Sequence, residues 1–151
     1  MPVNIQILDA NNLTAFKGLI AVFERSFEMA HFRMPADAHL KSVLSRDHFF
    51  AVVASVDGNV VGGLTFYVLD QYYAEKPLAY IYDLAVLPEY QRMGIGKKLI
   101  DTTNEYCRQQ GFEEVFVQAD KVDAHALLFY RATKPTEEEE VVHFYYTLPQ
   151  Q

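Results

Sequence analysis

The chain has 151 residues, 50% of them apolar and 22% charged. That is long enough to close one sizeable core, too apolar for a disordered tail and too often broken by charge for a membrane span. Acidic residues outnumber basic ones 20 to 13, a formal charge of −7, which is the wrong sign for a protein that grips nucleic acid.

Met1 to Asn12 shows no basic segment followed by an apolar stretch of signal-peptide length, so a cytoplasmic location is the expectation. Asn4 to Leu8 alternates weakly as a first strand. Phe16, Leu19, Ile20, Phe23 and Phe27 recur at helical spacing over Leu13 to Phe27, and Asp37 to Ser45 reads as a second helix with Asp37 as its cap. Two arms rich in β-branched and aromatic residues, Phe49 to Val56 and Val60 to Leu69, flank the turn residues Asp57, Gly58 and Asn59 and predict a hairpin. Gly62 and Gly63 inside the second arm signal a bulge or a close backbone approach. Tyr80 to Val86 is a further strand, ended by Leu87 and Pro88. The period then changes to a helix from Ile95 to about Gln110, stopped by Gly111. Val115 to Ala119 reads as a strand, Asp123 to Ala132 as a helix and Val141 to Leu148 as a closing strand. No linker or repeat interrupts the order, so one domain over residues 1–151 is expected: an α/β (α+β) fold with a mixed central sheet flanked by helices.

Cys107 is the only cysteine. An intramolecular disulfide and a cysteine-rich zinc site are therefore excluded, and its place within a helical pattern without a nearby His favours packing over a nucleophilic role. His125 and His143 have no metal-ligand spacing, and no metal is expected. Between Phe112 and Gln151 eight acidic residues face three basic ones; a cationic partner or a solvated acidic face explains the run, Glu137 to Glu140 included.

Chemistry concentrates in Tyr80 to Lys98. Gly94 and Gly96 lie between a strand and the first turn of a helix, where free N–H groups and the helix dipole hold an anion. Arg92, Lys97 and Lys98 add positive charge there, so a phosphorylated ligand is implied. A dinucleotide fingerprint would need glycine at Leu99. A phosphate-binding P-loop would need glycine at Gln91 and Ser or Thr at Lys98. Both patterns fail. Asp83 interrupts an apolar strand, and simple alternation places it on one face with Ile81 and Ala85. An ionised carboxylate there needs a donor, a salt bridge or a cationic ligand.

Gln91-x-x-Gly94-x-Gly96 after a strand resembles the acetyl-coenzyme A loop of the GNAT superfamily of N-acetyltransferases. Tyr80-Ile-Tyr-Asp-Leu-Ala-Val86, Val117-Gln-Ala-Asp120, Leu128-Phe-Tyr130 and Val141-Val-His-Phe144 are similar to the aminoglycoside (gentamicin) 3-N-acetyltransferases, and weaker similarity reaches back through Tyr67-Val-Leu69. After Tyr130 the chain departs from the family's Lys-Leu-Gly-Phe-like turn with Arg131-Ala-Thr-Lys-Pro-Thr136 and four glutamates. The resemblance implies a GNAT-like fold and acetyl transfer from acetyl-coenzyme A to a primary amine, most specifically the 3-amino group of an aminoglycoside, without a metal. Another amine, such as a polyamine, an amino acid derivative or a protein N-terminus, and a non-catalytic coenzyme A-binding module are the alternatives.

By the same resemblance Leu84, Ala85 and Val86 offer backbone groups to the pantetheine arm. Gln91, Arg92, Met93, Gly94, Ile95, Gly96, Lys97 and Lys98 form the pyrophosphate loop. Tyr130 faces the coenzyme sulfur as an acid for the departing thiolate. Asp83 binds the acceptor amine or takes its proton. Asp120 and Asp123 are helix caps or rim carboxylates that orient a cationic small-molecule acceptor. Nucleic acid and membrane are not expected partners. The apolar closing segment suits a homodimer as well as a packed monomer.

Overall fold

The structure, a computed structural model, describes residues 2–150. The chain forms two compact units, one up to Gln118 and one from Ala119 onward. The first holds a five-stranded sheet in the order β1 (Asn4–Ile7), β2 (Phe49–Val56), β3 (Asn59–Leu69), β4 (Leu78–Val86) and β5 (Glu114–Val117). All neighbours are antiparallel except β4 and β5, which run parallel through the crossover helix α3 (Ile95–Gln109).

Helices α1 (Leu13–Ser26) and α2 (Asp37–Leu44) lie on one face of the sheet. Phe16, Leu19, Val22, Phe23, Leu40 and Leu44 share a buried cluster with Phe49, Ala51, Val53 and Ala85. Helix α3 covers the other face, where the Tyr106 ring meets Phe50 and Phe66. Asp57 and Gly58 both have positive φ, which turns β2 into β3 through the tight primed turn whose twist suits a hairpin. Asn59 therefore belongs to the strand. Asp37 does not cap α2; Ala36 occupies the cap position, and Asp37 pairs instead with Lys17 at 3.0 Å.

Gly62 and Gly63 serve both functions expected of them. The β2–β3 register slips between Ala54 and Ser55, leaving Val61 as the extra residue. A Cβ on Gly63 would lie 2.5 Å from both Leu19 Cδ1 and the Val52 carbonyl oxygen. The missing side chain lets α1 sit directly on the sheet. At the far end of α3, Phe112 N donates to Cys107 O and Gly111 N to Arg108 O, with Gly111 at φ 82, the paired bonds of a left-handed glycine stop.

The second unit contains α4 (Ala124–Ala132), capped by Asp123, whose Oδ1 accepts from Ala126 N at 3.0 Å. Beyond it Arg131 pairs with Glu138 at 2.7 Å and Lys121 with Glu140 at 3.2 Å. The expected closing strand over 141–148 does not form: these residues carry no strand pairing, and Val142, Phe144 and Tyr146 are 76%, 76% and 88% exposed. Composition supplies β propensity, but a strand exists only where a neighbouring edge takes its N–H and C=O groups.

Candidate functional site

Strand β4 has a partner on its outer side for only part of its length. β5 pairs with Leu78 to Ile81, so from Tyr82 to Val86 that edge has no strand neighbour among the described residues. Leu87 N donates to Val61 O, which marks Val61–Leu87 as a hydrogen-bonded pair. Antiparallel alternation then turns the backbone of Ala85 toward β3 and those of Leu84 and Val86 toward the open edge. Of the groups expected there, the Val86 carbonyl is already occupied, accepting from Gln91 Nε2 at 3.0 Å. Gln91 thus ties the following loop to the strand. The Leu84 amide and carbonyl and the Val86 amide face this edge, where no strand neighbour takes them among the described residues.

Past a short 3-10 turn, Pro88–Tyr90, the loop curls with Arg92 at φ 64 and Gly94 at φ 78. Gly94 is the N-cap of α3 and supplies no side-chain acceptor; the first helical bond runs from Lys98 N to Gly94 O at 3.0 Å. The N–H groups of Ile95, Gly96 and Lys97 therefore have no partner within the helix and lie at the positive end of its 15 residues. Lys97 Nζ is held by Asp101 at 2.7 Å, so its charge is partly spent within the helix. Arg92 and Lys98 are exposed and carry no ion pair among the described residues. Met93 is half exposed beside them. Behind the loop, Arg25 clamps Glu89 with two bonds of 2.9 and 3.0 Å, joining the end of α1 to the turn.

The neighbouring part of β4 holds a second feature. The β3–β4 register shifts between Thr65 and Phe66, so Thr65 faces Asp83, Phe66 faces Ile81, and Tyr82 is the extra residue. Phe66 packs toward Tyr106 of α3 and takes Ile81 to that side. Asp83 lies on the opposite face, with Thr65 and Ala85, on the side of α1 and α2. The expected grouping of Asp83 with Ile81 is therefore wrong, because a bulge breaks the alternation it assumed. Asp83 is half-buried and makes no side-chain hydrogen bond or ion pair among the described residues, and burial pushes its carboxyl above the ordinary Asp range.

Around it runs a row of rings that sequence reading did not single out. Phe16 meets Phe49, Phe49 meets Tyr67, Tyr67 meets Tyr82, Tyr82 meets Tyr80, and Tyr80 stacks on Phe116 at 4.7 Å. The row starts in the core and emerges at Tyr67 and Tyr82, which are 40% and 59% exposed. Burial first, then Tyr82 and Asp83, push the Tyr67 and Tyr80 phenols up, so these hydroxyls stay protonated and available as donors. Tyr80 already donates to Gln118 Oε1 at 3.1 Å. The signal was present in Tyr67 and in Tyr80-x-Tyr82, but aromatic residues in strands ordinarily read as core.

The remaining expected residues belong to the second unit. Asp120 Oδ1 accepts from Val122 N at 3.1 Å in the turn before α4, and Asp123 is the cap, so both carboxylates shape the local backbone. Tyr130 is half-buried on α4; its ring meets Phe129 at 5.0 Å and its carbonyl accepts from the Thr133 hydroxyl at 2.6 Å. Among the described residues no group of three His, Cys, Asp or Glu is placed to hold a metal ion, and no helix is long and apolar enough to cross a membrane.

The five-stranded mixed sheet, with two helices on one face and a glycine-capped helix on the other, is the GNAT fold. Residues 16–133 match the Acetyltransferase (GNAT) family, and the chain belongs to it. It is 58% identical to the aminoglycoside acetyltransferase meta-AAC0020 from an uncultured soil metagenomic sample, with 97% of each chain covered and a TM-score of 0.96; that protein has been solved with trehalose and with sisomicin. A second aminoglycoside acetyltransferase of the same kind of source, HMB0005, is 30% identical over 99% of this chain and 100% of its own, with a TM-score of 0.91. An uncharacterized N-acetyltransferase of Archaeoglobus fulgidus is 31% identical over 96 residues, 61% of this chain, and the chain spans 63% of that protein's length.

Proposed function

We propose that the protein transfers acetyl from acetyl-coenzyme A to a primary amine of an aminoglycoside, specifically the 3-amino group. The observation that carries the reading is the Tyr82–Val86 edge, without a strand neighbour among the described residues, running into a helix N-terminus whose first three amides have no partner within the helix, beside Arg92 and Lys98, which carry no ion pair among the described residues. A pantetheine arm suits such an edge as an added strand, and a diphosphate suits such a terminus. The similarity to two aminoglycoside acetyltransferases supports the acceptor class.

Acetyl-coenzyme A supplies an acetyl group already activated as a thioester, so the chain need only position, polarise and move protons. The Leu84 and Val86 amides are the donors available to the oxygen that gains charge as the carbonyl is attacked. Asp83, desolvated and without a side-chain partner among the described residues, attracts the cationic amine and takes its proton directly or through a water. The exposed rings of Tyr67 and Tyr82 give that cation and its sugar a flat apolar face. Tyr130 serves as the acid for the departing thiolate, and Asp120 and Asp123 add negative charge on the acceptor side. One domain over residues 1–151 is the proposed organisation, and the cytoplasm is the proposed location.

The test is a panel of acceptors assayed by release of coenzyme A thiol, beside calorimetric titration of coenzyme A. Turnover with gentamicin-type compounds and modification at the 3-amino group by mass spectrometry are expected. Turnover restricted to polyamines or peptide N-termini would replace the acceptor. Coenzyme binding with no turnover on any amine would reduce the protein to a binding module, and absence of coenzyme binding would remove the whole reading. Tyr130→Phe is expected to lower turnover by about 10²-fold, the lower end for a lost general acid, with coenzyme affinity unchanged.

A further inference from the structure

A coenzyme that lies along β4 and ends at the start of α3 spans two elements whose separation the chain must hold fixed. The connection between them, residues 87–93, contributes no fully buried side chain to the core, and Leu87 packs only against its margin. Hydrogen bonds hold it instead. Leu87 N donates to Val61 O at 2.8 Å and Gln91 Nε2 to Val86 O at 3.0 Å, so both ends of the short turn Pro88–Tyr90 are tied to the sheet. The middle of the turn is tied elsewhere: Glu89 meets Arg25 of α1, 64 positions away in the chain.

That tie is mounted on a rigid post. Leu19, Val22 and Phe23 seat α1 in the core. Its last turn is closed by Phe27 N donating to Phe23 O at 2.8 Å and by the stacked rings of Phe23 and Phe27 at 5.4 Å. Arg25 lies in this turn, where the negative end of the helix dipole favours a cation. Its guanidinium gives one N–H to each carboxylate oxygen of Glu89, at 2.9 and 3.0 Å, a fork that fixes direction as well as distance. A single-donor contact would leave the turn free to swing about one bond. These hydrogen bonds, first among the causes, hold the Glu89 carboxyl below the ordinary Glu range.

We infer that Arg25 and Glu89 are positioning residues for acetyl transfer: the pair fixes the turn, and with it the spacing between the first amides of α3 and those of Leu84 and Val86. The inference rests on the proposed coenzyme site and deepens it. A diphosphate and a thioester joined by an arm of limited reach move together, so a displaced loop carries the thioester along β4, away from the amides that polarise its carbonyl. The contacts that hold the diphosphate travel with the loop, whereas the rate depends on where the thioester comes to rest. Loss of the pair therefore lowers kcat before it lowers coenzyme affinity.

The test compares the full-length parent with Arg25→Met, Glu89→Gln and the exchanged pair Arg25→Glu, Glu89→Arg. Each single variant is expected to lose about 10-fold in kcat, within the about 10²-fold that a 1 Å misplacement costs. Calorimetric affinity for coenzyme A should stay within about threefold of the parent's, since the loop contacts are retained. Melting temperatures should stay close to the parent's, because an exposed ion pair adds little stability. In the free protein the Tyr90 and Gln91 amides, bonded to the Leu87 and Pro88 carbonyls, should exchange hydrogen faster in both single variants. The exchanged pair should return both kcat and amide exchange toward the parent. Unchanged kcat in the single variants overturns the inference, as does an exchanged pair no better than either single variant, or lowered kcat with amide exchange unaltered. A parent that binds no coenzyme A or acetylates no amine removes the coenzyme site and this inference with it, and is recognised before any variant is made. An active parent whose variants keep its kcat removes the role of the pair alone.

Discussion

Burial raises the Asp83 carboxyl, and no side-chain hydrogen bond or ion pair among the described residues offsets the cost of ionising it. Below the unfolded-state value of about 3.9 the group is neutral folded or unfolded and costs nothing. As pH rises from there through the raised folded value, ionisation increasingly favours the unfolded chain. Asp83→Asn is therefore expected to unfold at a higher temperature than the parent at pH 7, with the gap closing as the pH is lowered below about 4. Thermal melts across a pH series measure it, and a less stable variant at pH 7 would mean that the carboxylate has a compensating partner. The same variant should lose most acetyl transfer, because a neutral amide neither attracts an ammonium group nor takes its proton. That Asp83 is anomalous could be read from a single charge in an apolar strand. Its face could not, because nothing in Tyr80 to Val86 announces that Tyr82 is an extra residue. Thr103 is a second residue that the sequence left silent: it marked the apolar face of α3, and its fully buried hydroxyl has no hydrogen-bond partner among the described residues. Thr103→Val keeps the shape and removes the orphan, so it should stabilise the fold by about 1 kcal/mol, read from denaturant midpoints.

Elements whose signals are local were legible. The hairpin turn, the glycine stop of α3 and the helical spacing of α1 each depend on neighbours in sequence, and their ends fall within two residues of the positions expected. The cofactor-side loop was legible for the same reason: strand end, glycine and helix start are consecutive. The closing strand was not, because a strand is a relation between two segments and only one of them is written in Val141 to Leu148. Gly63 illustrates a signal that could be recognised but not resolved, since glycine in a strand says that something comes close without saying what. Leu19 and the Val52 carbonyl are what come close. Gly63→Ala is thus expected to push α1 off the sheet and cost about 1–3 kcal/mol in urea denaturation. A cost under a few tenths would show that the α1 contact yields freely.

At the level of the whole molecule, a charge of −7 sets opposite long-range forces on the two proposed substrates. It draws in a polycationic acceptor and repels the anionic coenzyme, which must rely on the local N–H groups and on Arg92 and Lys98. Raising ionic strength is accordingly expected to lower kcat/KM for the acceptor while leaving that for the coenzyme level or higher, measured by varying each at saturation of the other. Equal losses for both would argue against steering by the net charge. Composition disclosed this field, but not its relation to the sheet.

The lone cysteine has a practical corollary. Cys107 is buried, and burial pushes its thiol up to about 11, so at neutral pH the native protein offers maleimides and related probes no competing nucleophile. A cysteine introduced at Val142 would be the one labelled position on each chain. A paramagnetic or fluorescent tag could therefore be attached near residue 142 of an otherwise unaltered protein without first engineering a cysteine-free background.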